Sequence, residues 1–205
     1  GETTLVSVAD PATTLDGVAN EIAVENGDSL IVSSAWTPDQ NSLTVTLDTN
    51  ASLGVTGALT VGTGKSFAVN AAVDEDGNVA EPNDADFDEI VNNGNFSLGN
   101  VVANAASWTD ADGSTISLTN AGLTVGTGDV DINGAISSEN GAITATTGSL
   151  TVSGGAGMIE SLALTAATDI TFDTKEFDTD GAVSVDAAQG TGNVTFDTNV
   201  SLGAG

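Results

Sequence analysis

The fold is decided by residues 121–153, whose sequence is AGLTVGTGDVDINGAISSENGAITATTGSLTVS. Apolar and polar residues alternate within its short runs, as in Leu123-Thr124-Val125 and Val130-Asp131-Ile132. This period of two is typical of a β-strand that buries one face. Gly, Asn, Asp and Ser separate the runs, and these residues favour tight turns. The stretch therefore predicts a succession of short strands joined by tight turns.

The predicted strands recur with a step of about 20 residues, the repeat length expected of a solenoid. The recurring positions are Leu123, Ile143, Leu162 and Val183 in one series, Val130, Leu150, Ile170 and Val194 in a second, and Phe96 with Ile116 and Leu98 with Leu118. Interleaved series are expected when each turn of a coil places one strand on each of several stacked sheets. The sequence therefore predicts an all-β fold, a parallel β-solenoid (β-helix) of ~20-residue coils. The alternative is a β-sandwich with strand exchange between subunits.

The chain divides into four predicted segments. Residues 1–40 are less periodic and are expected to form an N-terminal cap or a joining strand, because an open solenoid end exposes unpaired strand edges. Residues 41–72 form a first β segment, residues 73–94 an acidic insert that projects from the body, and residues 95–205 the repetitive β body. Helix is expected at most within Ala12–Ala23 and Ala85–Asn92.

Residues 121–203 resemble the repeats of filamentous-haemagglutinin-type bacterial adhesins. The resemblance rests on strings such as Gly141-Ala142-Ile143-Thr144-Ala145 and Gly148-Ser149-Leu150-Thr151-Val152-Ser153. Members of that family form right-handed β-helices on cell surfaces. The resemblance therefore implies a β-solenoid exposed at a bacterial surface.

Composition argues against several classes of function. The chain has 29 acidic residues, two Lys and no Arg, His, Cys or Tyr, which gives a formal net charge of −27. Nucleic acids and acidic lipid surfaces are neutralised by Lys and Arg, so no nucleic-acid partner is expected. Without His and Cys the chain lacks the commonest general base and the best nucleophile, so we expect no enzyme.

The location expected from the sequence is extracellular or on the cell surface. No apolar run approaches the ~18 residues that a membrane-spanning helix needs. The chain starts at Gly1 and its one Met is Met158, so we expect that a secretion signal has been removed; the alternative is that the chain is a cut fragment.

Three Asp-x-Asp-Gly strings, which begin at residues 74, 110 and 178, predict calcium sites. Alternate Asp residues can direct their carboxylates to one side of a loop while Gly allows the sharp turn that a hard cation needs. The predicted ligands are Asp74, Asp76, Asn78, Asp84, Asp86, Asp88, Asp110, Asp112, Asp178 and Asp180. The alternative is that Asp-Gly only marks tight turns in these places.

These features predict a secreted structural subunit that self-assembles into an extracellular filament, sheath or surface layer. Cations are expected to offset the charge of neighbouring copies. The predicted joint is a homopolymer contact by edge-strand pairing, with residues 3–8 as the joining strand. The alternative is a surface adhesin that does not polymerise and binds a host or glycan ligand along the solenoid.

Overall fold

A computed structural model describes residues 5–15, 20–81, 83–174, 176–179, 181–197 and 199–201. The regular secondary structure of these residues is strand, apart from one short helix, α1 (Pro11–Thr14), and one 3-10 turn at Ala188–Gly190. The strands in chain order are β1 (Leu5–Val8), β2 (Glu21–Val24), β3 (Ser29–Val32), β4 (Ser42–Leu47), β5 (Ser52–Val61), β6 (Ser66–Ala71), β7 (Asp84–Asn92), β8 (Asn95–Gly99), β9 (Val102–Asp110), β10 (Thr115–Thr119), β11 (Gly122–Val125), β12 (Val130–Ile132), β13 (Ala135–Glu139), β14 (Gly141–Ala145), β15 (Leu150–Val152), β16 (Ala156–Ile159), β17 (Ser161–Ala166), β18 (Ile170–Phe172), β19 (Glu176–Asp178), β20 (Ala182–Ala187), β21 (Val194–Phe196) and β22 (Asn199–Ser201).

The strands wind as a β-solenoid of about nine turns, which confirms the predicted fold. The first sheet has nine strands in the order β1-β3-β5-β7-β9-β11-β14-β17-β20, and the second has seven in the order β16-β13-β10-β8-β6-β4-β2. The third sheet has the order β12-β15-β18-β21, and β19 pairs with β22. Strands that are neighbours in a sheet pair in parallel, and strands that follow one another in the chain lie on different sheets. Each turn of the C-terminal half therefore supplies one strand to each of three sides.

The third side of the solenoid, which in the C-terminal half carries the sheet of β12, β15, β18 and β21, is built differently in the middle of the chain. Strands β5, β7 and β9 are long, and the pairing of β5 with β7 shifts register between Val55 and Ala58. The second halves of these strands therefore turn onto the third side, and β12 packs against the end of β9. The third side is thus continuous from β5 to β21.

The predicted register is correct along the third sheet and wrong by two residues at one place in the first. Val130, Leu150, Ile170 and Val194 are successive partners. Ile143, however, pairs with Leu164 rather than with Leu162. A bulge in β16 inserts one extra residue in that turn. Because Leu162 and Leu164 both face inward, the alternating pattern does not distinguish the two registers.

The solenoid begins far earlier than the predicted boundary at residue 95. Strands β1, β2 and β3 lie within the predicted cap of residues 1–40, yet they are members of the first and second sheets. Residues 84–92, predicted as part of a projecting acidic insert, form β7 in the middle of the first sheet. The part of the predicted insert that the structure describes outside the sheets, which we call the excursion, is therefore limited to residues 73–81 and 83. Long turns hide the period here, since Ser52 pairs with Asp84, 32 residues later.

The helical expectations are wrong over most of their length. Among the described residues in and next to the first stretch, only Pro11–Thr14 are helical, and Ala85–Asn92 lies entirely in a strand. Ala85 and Phe87 are buried while Asp84, Asp86 and Asp88 are exposed, which is the period of two of a half-buried strand.

The interior is filled by aliphatic side chains with two groups of stacked aromatic rings. Phe96 is fully buried and contacts the rings of Phe67, Phe87 and Trp108 at centroid distances of 6.2, 6.4 and 5.6 Å. Ring pairs at these distances add to the free energy gained by burying apolar area. One row of aromatic rings therefore ties successive turns together along the solenoid axis.

Asparagine shapes one corner of the solenoid. Asn50, Asn100, Asn120 and Asn140 each precede a strand of the first sheet and have φ between +47° and +56°. Asn tolerates this left-handed conformation better than most residues do. The Nδ2 atom of Asn140 donates a hydrogen bond to Oδ1 of Asn120 at 3.2 Å. The column thus turns the chain and also links neighbouring turns.

Candidate functional site

The first Asp-x-Asp-Gly string forms a tight loop in the excursion. The Oδ1 atom of Asp74 accepts hydrogen bonds from the backbone N–H groups of Asp76 and Asn78 at 2.9 and 2.8 Å, and its Oδ2 accepts one from Asn78 Nδ2 at 2.8 Å. Gly77 has φ of +83° at the sharpest point of the loop. Hydrogen bonds from Asn78 lower the pKa of Asp74 below its ordinary value. Both carboxylate oxygens of Asp74 therefore serve to close the loop.

The carboxylates of β7 face outward from the first sheet rather than toward this loop. Asp86 accepts a hydrogen bond from Asn104 Nδ2 at 3.0 Å, and Asp88 accepts one from the backbone N–H of Gly57 at 3.0 Å. Asp84 is exposed at the start of the same strand. Residues two apart on a strand are separated by roughly 7 Å. These side chains therefore lie in a row along the strand, and those of Asp86 and Asp88 bond to the neighbouring turns.

The second string places its two carboxylates in opposite environments. Asp110 is only 7% exposed and accepts hydrogen bonds from the backbone N–H groups of Asn133 and Gly134 at 2.9 and 2.8 Å. Asp112 is exposed, and Gly113 follows it with φ of +85°. Burial raises the pKa of the Asp110 carboxyl, although the hydrogen bonds from Asn133 and Gly134 act in the opposite direction. Asp110 therefore links its own turn to the next one by hydrogen bonds.

The third string is only partly described. Asp178 is exposed at the end of β19, between the buried residues Phe177 and Thr179, and Asp180 lies outside the described residues. Among the residues that the structure describes, no three carboxylates come close enough to share a metal ion. Each described Asp residue of the three strings thus closes a loop, links two turns by hydrogen bonds or is exposed at the surface.

Removal of the Asp110 carboxylate should destabilise the solenoid. Asp110→Ala leaves the buried N–H groups of Asn133 and Gly134 without their acceptor, so we expect a loss of about 2–3 kcal/mol in the free energy of unfolding. Asp110→Asn keeps one acceptor oxygen and should cost about 1 kcal/mol. Asp112→Ala, on the exposed side of the same loop, should stay within about 0.5 kcal/mol. Urea unfolding of the three variants measures these values, and equal losses at Asp110 and Asp112 would contradict the assignment.

The wild type and Asp110→Asn should differ in how their stability depends on pH. Because burial raises the folded-state pKa of Asp110, its stabilising contribution is complete below the unfolded pKa, near 4, and is lost as pH rises through the folded pKa. We therefore expect the stability of the wild type relative to Asp110→Asn to fall as pH rises through that range. A relative stability that increases with pH would show that the hydrogen bonds outweigh the burial.

The C-terminal turn has an uncovered interior, a feature that the sequence analysis missed. Val194 and Phe196 occupy the inward register positions of Ile170 and Phe172, yet they are 40% and 47% exposed while Ile170 and Phe172 are 0% exposed. In the first sheet β20 is the last described strand, and its inward residues Val183 and Val185 are likewise only partly buried, whereas Ala187 is buried. Within the described residues, no further turn covers this end of the solenoid.

The outer face of the second sheet is free of charge over four strands. The outward residues of β4, β6, β8 and β10 are Ser42, Thr44, Thr46, Ser66, Ala68, Asn70, Asn95, Ser97, Gly99, Thr115, Ser117 and Thr119. Some of them bond across turns, as Thr115 Oγ1 does to Asn95 Oδ1 at 2.8 Å. In a chain with a net charge of −27, this face presents hydroxyl and amide groups to solvent.

No described helix is both long and apolar enough to cross a membrane.

Comparison of the chain with protein-family models, with curated proteins and with solved structures gave no match. The resemblance to filamentous-haemagglutinin-type adhesins therefore stays a prediction from the repeats.

Proposed function

We propose that the protein is an extracellular structural subunit that self-assembles end to end into a filament, sheath or surface layer. The observation that carries the proposal is the uncovered last turn, where Val194 and Phe196 expose side chains at positions that are buried in every turn below. Apolar side chains at such positions are stabilised when another layer covers them. Each turn of a solenoid contacts only its neighbouring turns. The end turn of a second copy can therefore supply the layer that covers these side chains.

Unpaired strand edges supply the second part of the contact. Among the described residues, β20 and β21 each have one partner strand and one open edge. Open edges favour pairing with another chain, and proteins that stay monomeric usually cover them. In a polymer the same edges become the joints, by strand addition between subunits.

The charge of the chain controls this assembly. Copies that each carry a net charge of −27 repel one another at low ionic strength, and salt shortens the range of that repulsion. Since the described residues hold no cluster of three carboxylates, the proposed cation dependence rests on screening. Sodium chloride should then replace calcium once its ionic strength is high enough.

Light scattering of the purified chain tests the proposal. We expect monomers at about 10 mM ionic strength and large assemblies at about 1 M sodium chloride, because the screening length falls from roughly 30 to 3 Å between the two ionic strengths. Millimolar calcium contributes an ionic strength of only about 10 mM, so calcium at that concentration should leave the chain monomeric. Assembly with calcium and not with sodium would point to a specific calcium site instead of screening. Monomers under all of these conditions would contradict the proposed function.

The uncharged face of the second sheet favours a second candidate, a surface adhesin that binds a neutral glycan. Its hydroxyl and amide groups can donate and accept hydrogen bonds with a polyhydroxylated chain, and none of its twelve outward positions carries a charged residue. This candidate predicts monomers in all salts together with a rise in melting temperature when the glycan is added.

A further inference from the structure

We propose that a cleft beside the excursion binds a neutral saccharide. The cleft has a volume of about 460 Å³, which is within the usual range of small-molecule sites. It lies in the middle of the solenoid, several turns from either end of the described chain, so a ligand there requires no self-assembly. The residues that line it are Glu81, Asn83, Asn100, Val101, Val102 and Asn120.

Three successive turns build the cleft at the corner that precedes the first sheet. Asn100 lies between β8 and β9, and Asn120 lies between β10 and β11. Both have the left-handed backbone conformation of the asparagine column. In the turn before them the excursion occupies the same corner, between β6 and β7. The excursion therefore forms a wall next to the column of asparagines.

Hydrogen bonds within the excursion hold this wall in place. Val73 and Val79 form an antiparallel bridge, and Asp74 closes the loop between them. The backbone N–H of Ala80 donates a hydrogen bond to the carbonyl of Ala72 at 2.8 Å. A wall that is ordered before the ligand arrives reduces the entropy that is lost on binding.

The floor of the cleft is apolar. Val102 is 57% exposed on the outer face of β9, although Val is among the residue types that are most often buried. Its partner in β11 is Gly122, which has no side chain to cover it. Val102 therefore offers an apolar contact surface to the C–H groups of a ligand.

The amides around this floor have hydrogen-bonding groups left for a ligand. The side chain of Asn100 has no hydrogen-bond partner among the described residues. Asn120 accepts a hydrogen bond from Asn140 through Oδ1, which leaves its Nδ2 group as a donor. Asn83 donates through Nδ2 to the carbonyl of Ala80, which leaves its Oδ1 as an acceptor. Donors and acceptors are thus available side by side.

This set of groups suits an uncharged, polyhydroxylated ligand. Sugar hydroxyls both donate and accept hydrogen bonds, and the carboxylate of Glu81 is a strong acceptor for them. An anion would meet Glu81 and a net charge of −27, with no Lys in the lining. A calcium ion would find only one carboxylate among the lining residues. A neutral saccharide therefore fits the chemistry of the cleft best.

The faces on both sides of this corner carry no charged outward residue near the cleft. One is the uncharged face of the second sheet, and the other is the outer face of the first sheet from β9 to β17. The outward residues of these first-sheet strands are Val102, Asn104, Ala106, Gly122, Thr124, Ala142, Thr144, Ser161, Ala163 and Thr165. A saccharide longer than the cleft can therefore continue onto either face.

Titration with trisaccharides tests the proposal. The probes are neutral trimers of α-linked glucose, β-linked glucose, mannose and N-acetylglucosamine, with trigalacturonic acid as the acidic counterpart. We expect at least one neutral trimer to bind and to shift the side-chain amide NMR signals of Asn83, Asn100 and Asn120, and we expect no binding of the acidic trimer. If none of the neutral trimers binds, or if the acidic trimer binds equally well, the proposal is overturned.

The titration is done at about 10 mM ionic strength, where the chain is expected to be monomeric. Its failure would therefore leave the proposed self-assembly untouched. Signal shifts confined to the outer face of the second sheet would place the saccharide on that flat face and would overturn the assignment to the cleft.

Asn100→Gly removes one amide from the cleft, and Asn50→Gly is its matched control. The two asparagines have φ of +54° and +55°, a conformation that Gly adopts freely, so both variants should keep the fold. Asn50 lies at the same corner but does not line the cleft. We expect the Kd to rise about tenfold with Asn100→Gly and to stay unchanged with Asn50→Gly. Wild-type affinity in both variants would contradict the proposal.

A second pair of variants tests the apolar floor. Val102→Asp and Ala106→Asp each place a carboxylate on the outer face of β9, and only the first lies in the cleft. We expect Val102→Asp to weaken binding by at least about tenfold and Ala106→Asp to change it by less than about twofold. Equal losses in the two variants would show that added charge, and not the floor of the cleft, governs binding.

Discussion

Gly154→Ala should destabilise the solenoid by about 3 kcal/mol, since an added methyl group must overlap backbone of the preceding turn. Gly154 lies at the corner before the second sheet, and a Cβ atom there would collide with the carbonyl group of Gly134. A backbone carbonyl cannot swing aside as a side chain can, so the two turns have to separate. The free energy of unfolding in urea measures the loss.

Gly122→Ala is the matched control for this substitution. A Cβ atom at Gly122 would meet the methyl groups of Val102 at 3.7 Å, which is an ordinary contact distance. We expect a change within about 0.5 kcal/mol. If both glycines tolerate alanine equally, the close approach of turns at the corner of Gly154 is wrong.

Phe96→Ala should cost about 3–5 kcal/mol, the usual range for the loss of a large buried aromatic side chain. Phe96 is fully buried and is the ring that connects Phe67 with Trp108 and Phe87. Its removal leaves a cavity in the middle of the stack of rings and removes the ring contacts that connect three turns. Urea unfolding at low ionic strength, where the chain is expected to be monomeric, gives the measurement.

Phe196→Ala provides the comparison within the same protein. Phe196 is 47% exposed and contacts one ring, that of Phe172, at 5.1 Å. It should cost about 1 kcal/mol in the monomer, because roughly half of its surface is already in water. If Phe196→Ala were as costly as Phe96→Ala, the last turn would be covered in the monomer and the proposed interface would lose its basis.

The repeat of the C-terminal half could be predicted because its turns have nearly constant length. Val130, Leu150 and Ile170 are separated by equal steps, and in the structure they are partners in one sheet. The N-terminal half follows the same architecture with longer turns, so that Ser29 pairs with Ser52 and Ser52 with Asp84. A fixed step cannot reveal a solenoid whose insertions fall at the corners, so the predicted cap and acidic insert are longer than the segments that lie outside the sheets.

The candidate sites were less predictable than the fold because burial decides the role of each Asp. Asp110 and Asp112 share one Asp-x-Asp-Gly string, yet one is buried against the next turn and the other is exposed. The spacing of the two Asp residues in the string does not predict which of them is buried. The difference in burial arises because strand β9 ends at a corner of the solenoid. The recurrence of Asn100, Asn120 and Asn140 at a step of 20 could have been found in the sequence, but it marks a different corner, the one before the first sheet.

Negative-stain electron microscopy of the chain at high salt, combined with fibre diffraction, distinguishes end-to-end stacking from its absence. Stacking of this kind should give unbranched fibres one solenoid wide. Their diffraction should show a spacing of about 4.8 Å along the fibre axis, and their axial repeat should be roughly 43 Å, nine such spacings. Single short particles at every salt and calcium concentration would contradict the account.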